Sequence, residues 1–125
     1  MLANYYQRGG SKMEVVEKRI EKRNKIINDA TAYSKNLSFK CSVLLIGSYA
    51  RGDFNLWSDI DLLIIGDFKG NPLERLKDID FPPGYETIML TPEEINKMKS
   101  KNDRFITDAL KDGVILRDDF SISNR

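Results

Sequence analysis

Two short groups of residues carry chemistry by their types and spacing. Gly47-Ser48 closes an apolar run, Ser42 to Ile46, and ten residues further on Asp59-Ile60-Asp61 opens another, Asp59 to Ile65. In a strand, side chains two apart share a face, about 6.5–7 Å from each other along the chain. Asp59 and Asp61 are therefore expected to project together, with Ile60 on the opposite face. Carboxylates held this close repel and raise each other's pKa unless a cation sits between them. Mg²⁺ suits such a pair, because it takes hard oxygen ligands and completes its shell with water and substrate phosphates. The Gly-Ser turn supplies the complementary half. Without a Cβ, Gly47 lets a phosphate approach the backbone, and N–H groups opening a short helix favour an anion. Ser48 adds a hydroxyl donor, and Arg51, one turn on, reaches toward the same phosphates. A phosphate cradle beside a twin-carboxylate metal site describes a nucleotide enzyme.

Each signal alone is weak. A Gly-Ser after a strand is usually only a turn, and paired acids on a strand serve elsewhere to discourage edge-to-edge association. The rest of the composition narrows the chemistry. The 125 residues include no histidine and one cysteine, Cys41. That removes every His-based nucleophile pair, His-ligated zinc site and His general base, and any intrachain disulfide. Lys and Arg number 20 against 19 acids, a net charge of +1, which gives no direct evidence for a nucleic-acid partner. No apolar run reaches bilayer length and the first ten residues lack a secretory apolar core, so a cytoplasmic location is expected.

The elements that must position these residues follow from periodicity. Ser11 to Asn36 contains neither Pro nor Gly, and Val16, Ile20, Ile27 and Ala30 recur at helical spacing. Ser11 as N-cap with Glu14 three residues on completes a capping box. The basic face of this long helix, Lys18, Arg19, Lys22, Arg23 and Lys25, reads as a solvated surface interleaved with Glu14, Glu17 and Glu21; the competing reading is a docking face. Beyond the first two strands, Asn71-Pro72 starts a short helix through Asp78 with Leu73, Leu76 and Ile79 as its apolar face. Tyr85 to Leu90 is a third strand. Thr91-Pro92-Glu93-Glu94 opens a helix, with both glutamates assigned to capping. A last helix runs from Asn102 to Asp112, and Val114 to Leu116 adds an edge strand. Phe54 and Trp57 are expected to pack, Cys41 to be buried, and Asp53 and Asp80 to be loop acids. The expected organisation is a flexible segment 1–10, one domain 11–117 and a tail 118–125. The fold class is α/β, a small mixed sheet flanked by helices.

The stretch Gly47-Ser48, ten residues, Asp59-x-Asp61 resembles the signature of the nucleotidyltransferase superfamily of DNA polymerase β, most closely its minimal members. Ala50-Arg51-Gly52 and Ser58 extend the likeness, as does Tyr85 to Glu94, which resembles the family's third strand and following helix. The resemblance covers about residues 40–117 and implies the DNA polymerase β-like fold. It also implies a third acid on the third strand, where this chain has Glu86 in place of the usual Asp. By that resemblance Asp59, Asp61 and Glu86 are the catalytic and metal-binding residues for two Mg²⁺ ions about 3.5–4 Å apart. Gly47, Ser48 and Arg51 then hold ATP or another nucleoside triphosphate, an acceptor hydroxyl attacks the α-phosphorus, and pyrophosphate leaves.

Minimal members are often paired with a helical HEPN-type toxin, which they neutralise by complex formation and by adding AMP to a tyrosine. The resemblance therefore implies protein adenylylation by an antitoxin. Two alternatives stay open: a contact-only binding module, and transfer to a small molecule or RNA. The acceptor, the nucleobase and any homo-oligomer are not read from these residues.

Overall fold

The Ser11 hydroxyl accepts a hydrogen bond from the Glu14 N–H at 3.1 Å and so starts α1 (Lys12–Lys35). The computed structural model describes residues 11–75 and 79–124. After α1 come β1 (Cys41–Ile46), the short α2 (Gly47–Arg51), β2 (Ile60–Gly66), α3 (Pro72–Arg75) and β3 (Tyr85–Leu90). The chain continues through α4 (Pro92–Ser100), α5 (Arg104–Asp112), β4 (Val114–Asp118) and a 3₁₀ turn, Ile122–Asn124. The four strands form one mixed sheet in the order β3-β2-β1-β4. β1 pairs antiparallel with both neighbours, and β2 pairs parallel with β3.

Both faces of the sheet are covered, which is why every residue of β1 is buried. On one face Ala30 of α1 packs with Val43, Leu45, Leu62, Ile64 and Met89. On the other, Ile95 of α4 and Ile106 and Ala109 of α5 pack with Leu44, Leu63, Ile65 and Leu90. Alternation along β2 thus sends Leu62 and Ile64 toward α1, and Leu63 and Ile65 toward α4 and α5. Thr91 caps α4 in a full capping box with Glu94, and the same Glu94 carboxylate accepts from Arg75 at 2.6 Å. Arg75 is only 5% exposed and also donates to the carbonyls of Met89 and Gly70. A charged side chain this deep is tolerated because each donor has an acceptor.

Several expected boundaries move. β2 begins at Ile60, not Asp59, so Asp59 stands just ahead of the strand, where the Ile60 N–H donates to the Gly84 carbonyl. β1 gains Cys41, which is fully buried as expected. The last helix starts two residues late because Asp103, not Asn102, is its N-cap, accepting from the Ile106 N–H at 3.2 Å. In α3 Leu73 is 77% exposed rather than core-facing, while Ile79 packs on the α1 face of the sheet. Leu76 and the expected helix end at Asp78 lie outside the described residues, as does the segment 1–10. Val16 and Ile20 are exposed, so the apolar stripe of α1 meets the sheet only from Ile26 onward. β4 runs to Asp118, and the following Phe120 and Ile122 pack against the α4–α5 face.

Candidate functional site

The parallel pairing of β2 with β3 places Asp61 opposite Glu86. The antiparallel pairing with β1 places Asp61 opposite Ile46, the residue before Gly47. Three chain segments therefore meet where β1 ends and β2 and β3 begin. Gly47 turns the chain from β1 into α2 with φ +72°, a conformation L side chains rarely adopt. A Cβ on Gly47 would stand 2.4 Å from Oδ2 of Asp61. The glycine is thus required twice, for the backbone angle and for the carboxylate that lies against it. Ser48 is half-buried at the start of α2, and Arg51 closes that helix, exposed and paired with Asp53 at 3.2 Å.

The electrostatics of the corner are those of crowded acids. Burial, then the negative charge of Glu86 and a hydrogen bond shared with it, then Asp59, push the Asp61 carboxyl up to about 6. Arg51 pulls in the opposite direction, so its guanidinium acts on the same corner. Among the described residues no group of three or more His, Cys, Asp or Glu is gathered tightly enough to hold a metal ion. The acids that meet are Asp61 and Glu86, and the exposed Asp59 stands beside them. Their donors are all carboxylate oxygens, and the negative charge crowded around Asp61 raises its carboxyl, so a hard divalent cation fits the chemistry of this donor set.

The expected residues Gly47, Asp61 and Glu86 are thus brought into one corner, with Ser48, Arg51 and Asp59 at its margins. The acids share the sheet face that carries Leu63, Ile65 and Leu90, beyond the end of that core.

Two features differ from the sequence reading. Phe54 packs as expected, buried and stacked on Tyr49 at 4.3 Å between ring centroids. Trp57 does not pack: it is 87% exposed, with Leu56 exposed beside it. The turn that displays them is held by hydrogen bonds, from the Trp57 N–H to the Asn55 side chain at 2.8 Å and from the Asn55 N–H to the Ser58 hydroxyl at 2.9 Å. The basic face of α1 is the second difference. Arg23 donates to the Tyr49 and Ala50 carbonyls at 2.7 and 2.8 Å, and Arg19 to the Gly52 and Phe54 carbonyls at 3.0 and 2.7 Å. Arg19 also lies over the Phe54 ring at 4.3 Å. The signal was present in the sequence: Arg19, Arg23 and Ile27, each four apart, lead by a three-residue step to Ala30 and Ser34, the stripe that faces the sheet.

The nucleotidyltransferase domain family matches residues 25–116, which includes every candidate residue above. A crystal structure of a proposed nucleotidyltransferase from Sulfolobus solfataricus superposes with a TM-score of 0.54 at 23% identity, covering 78% of this chain and 84% of that one. At that identity the likeness establishes the fold. A Methanocaldococcus jannaschii protein, named as a proposed protein adenylyltransferase, is 64% identical over 25 residues. That match spans 20% of this chain and a quarter of the relative's length, 25%. No helix among the described residues is long and apolar enough to cross a membrane. The family match over most of the chain, together with a mixed sheet that carries the Gly-Ser turn against Asp61, places this protein in the nucleotidyltransferase domain family.

Proposed function

We propose that this chain moves AMP from ATP onto a hydroxyl of a protein acceptor, with Mg²⁺ held by Asp61 and Glu86 and joined by Asp59. One observation carries the reading: Asp61, paired across the sheet with Glu86, lies against Gly47 so closely that a single added methyl group would meet its carboxylate. Gly47 and Ser48 receive the triphosphate, and Arg51, on the last turn of α2, adds positive charge on the same side. The metal, when bound, supplies charge neutralisation to the triphosphate and lowers the pKa of the attacking hydroxyl. Glu86 stands exposed at the start of β3. With no histidine in the chain, it is the side chain suited to hold the acceptor proton while the hydroxyl attacks. Asp61 keeps the metal-binding corner anionic above about pH 6.

Support for a protein acceptor comes from the shape of the site and from the relative's name. Asp59 and Glu86 are exposed, so the acceptor is met at an open edge rather than inside a cavity. Leu56 and Trp57 protrude from the turn leading into Asp59, and an exposed tryptophan of this kind is a common anchor at protein interfaces. Acids at 53, 59, 61 and 86 disfavour a polyanionic acceptor such as RNA. The name of the Methanocaldococcus relative points to a protein target. The resemblance to minimal nucleotidyltransferases points to a HEPN-type helical toxin, modified on a tyrosine, as that target, with this chain as the antitoxin in the cytoplasm.

The test mixes the chain with Mg²⁺, ATP and a HEPN-type partner encoded beside it, and reads intact masses. The expected result is a partner heavier by one AMP, lost with Asp61→Asn although the two proteins still bind. Binding with no mass change in the wild-type mixture would leave a contact-only antitoxin instead.

A further inference from the structure

The basic stripe of α1 has a use that neither family membership nor the acidic corner supplies. The short α2 has five residues, Gly47–Arg51, and its C-terminal carbonyls have no partners within the helix. Arg23 satisfies the carbonyls of Tyr49 and Ala50, and Arg19 those of Gly52 and Phe54 just beyond. Both guanidiniums reach across from α1, between 26 and 35 residues away in sequence. Positive charge at this end also complements the dipole of α2. The opposite end of the same helix is Gly47-Ser48, and Gly47 touches Asp61 with no room for a methyl group. A shift of α2 by a fraction of an ångström therefore changes how the Gly-Ser turn sits against the acids.

From this we infer that Arg19 and Arg23 are positioning residues for nucleotide binding: a two-arginine clamp on the C-terminal end of α2 that sets the place of Gly47 and Ser48. The remaining basic residues of the stripe are used differently. Lys22 lies about 6 Å from the Tyr49 and Phe54 rings, at 6.0 and 5.9 Å, and Lys25 pairs with Asp29 on its own helix. Lysine cannot replace Arg23, whose Nε and Nη2 meet two adjacent carbonyls as parallel donors. Arg19 reaches its two carbonyls through Nη2 alone, and there lysine loses the planar group that lies over the Phe54 ring.

The inference rests on the proposed nucleotide role of Gly47 and Ser48, and the experiment keeps the two separate. Arg19→Lys, Arg23→Lys and the double variant keep the net charge, and Lys25→Gln on the same helix is the control. Two quantities are read well below the unfolding midpoint. One is hydrogen exchange of the Gly52 amide, which donates to the Ser48 carbonyl at 2.8 Å and reports order in α2 without any ligand. The other is the Kd for Mg-ATP. The clamp predicts Gly52 exchange faster by about tenfold and Mg-ATP affinity weaker by about ten- to a hundredfold, both largest in the double variant and absent in Lys25→Gln. A merely structural pair would lower the urea midpoint and leave the Kd of the folded protein unchanged, which would overturn the inference. Unchanged Gly52 exchange would overturn it as well, with or without nucleotide binding. If the double variant does not fold, Arg23→Lys alone, which leaves both Arg19 bonds in place, decides on the same two readouts. A wild-type protein that does not bind Mg-ATP would overturn the nucleotide role itself, and the exchange data would still decide whether the arginines order α2.

Discussion

Gly47→Ala tests the close approach of Gly47 to Asp61, and its effect follows from the backbone angle of the residue and the space beside it. The residue sits at φ +72°, where an alanine costs about 1–2 kcal/mol relative to glycine. Its new Cβ would stand 2.4 Å from Oδ2 of Asp61, and an ordinary contact needs about 1 Å more. The carboxylate, the turn, or both must therefore move by roughly that amount, and a misplacement of about 1 Å at a reacting site costs about a hundredfold in rate. Gly84→Ala is the matched control. Its φ is +92° and no atom lies within 4 Å of the added Cβ, so it carries the backbone strain without the collision. Both variants should lose about 1–2 kcal/mol in urea unfolding. Only Gly47→Ala should also lose about two orders of magnitude in Mg-ATP-dependent pyrophosphate release per folded molecule. Gly47→Ala within about threefold of wild type, when the displaced atom predicts about a hundredfold, would refute the reasoning. An equal loss of activity in Gly84→Ala would do the same.

Other expectations concern the acids, the exposed turn and the buried arginine. The folded-state pKa of Asp61 lies above its ordinary 3.8, so without metal the folded protein holds that proton more tightly than the unfolded chain does. Stability should then fall as pH rises from about 4 to about 6 and level off above. Asp61→Asn should flatten that slope and gain about 1–2 kcal/mol at pH 8 after solvent screening; a destabilised variant in urea at pH 8 would contradict the crowding. Trp57→Ala should leave the urea midpoint and the Mg-ATP Kd unchanged, since the ring is 87% exposed, yet weaken transfer to a protein acceptor by about tenfold. Unchanged transfer would remove the turn from the acceptor's path. Arg75→Met should cost about 2–4 kcal/mol, because it strands the Met89 and Gly70 carbonyls and the Glu94 carboxylate. A loss below about 1 kcal/mol in urea would mean that water replaces the arginine.

The strands and helix starts were legible because their signals are local. Val43 to Ile46 and Leu62 to Ile65 are continuous apolar runs that only a doubly covered strand accommodates. Ser11 and Thr91 announce their helices by the hydrogen bonds their hydroxyls make three residues on. Register is a tertiary property, so the pairing of Asp61 with Glu86 had no local signal beyond the resemblance that named both. Side-chain destinations were read least well. Arginines on a charged helix resemble solvated residues until the carbonyls of α2 appear opposite them, and the depth of Arg75 depends on loops that no spacing predicts. An aromatic ring in the loop before β2 is expected to pack, yet Trp57 is exposed. Its exposure follows from the Asn55–Ser58 turn, whose hydrogen bonds aim the ring outward.

The measurement that bears most directly on the central claim is label transfer from ATP radiolabelled at the α-phosphorus, with Mg²⁺ and the candidate protein acceptor, wild type beside Asp61→Asn. The account predicts a labelled acceptor band with the wild-type chain and none with the variant. A band of equal strength with Asp61→Asn, or a wild-type chain that binds Mg-ATP and its partner yet transfers no label, would contradict it.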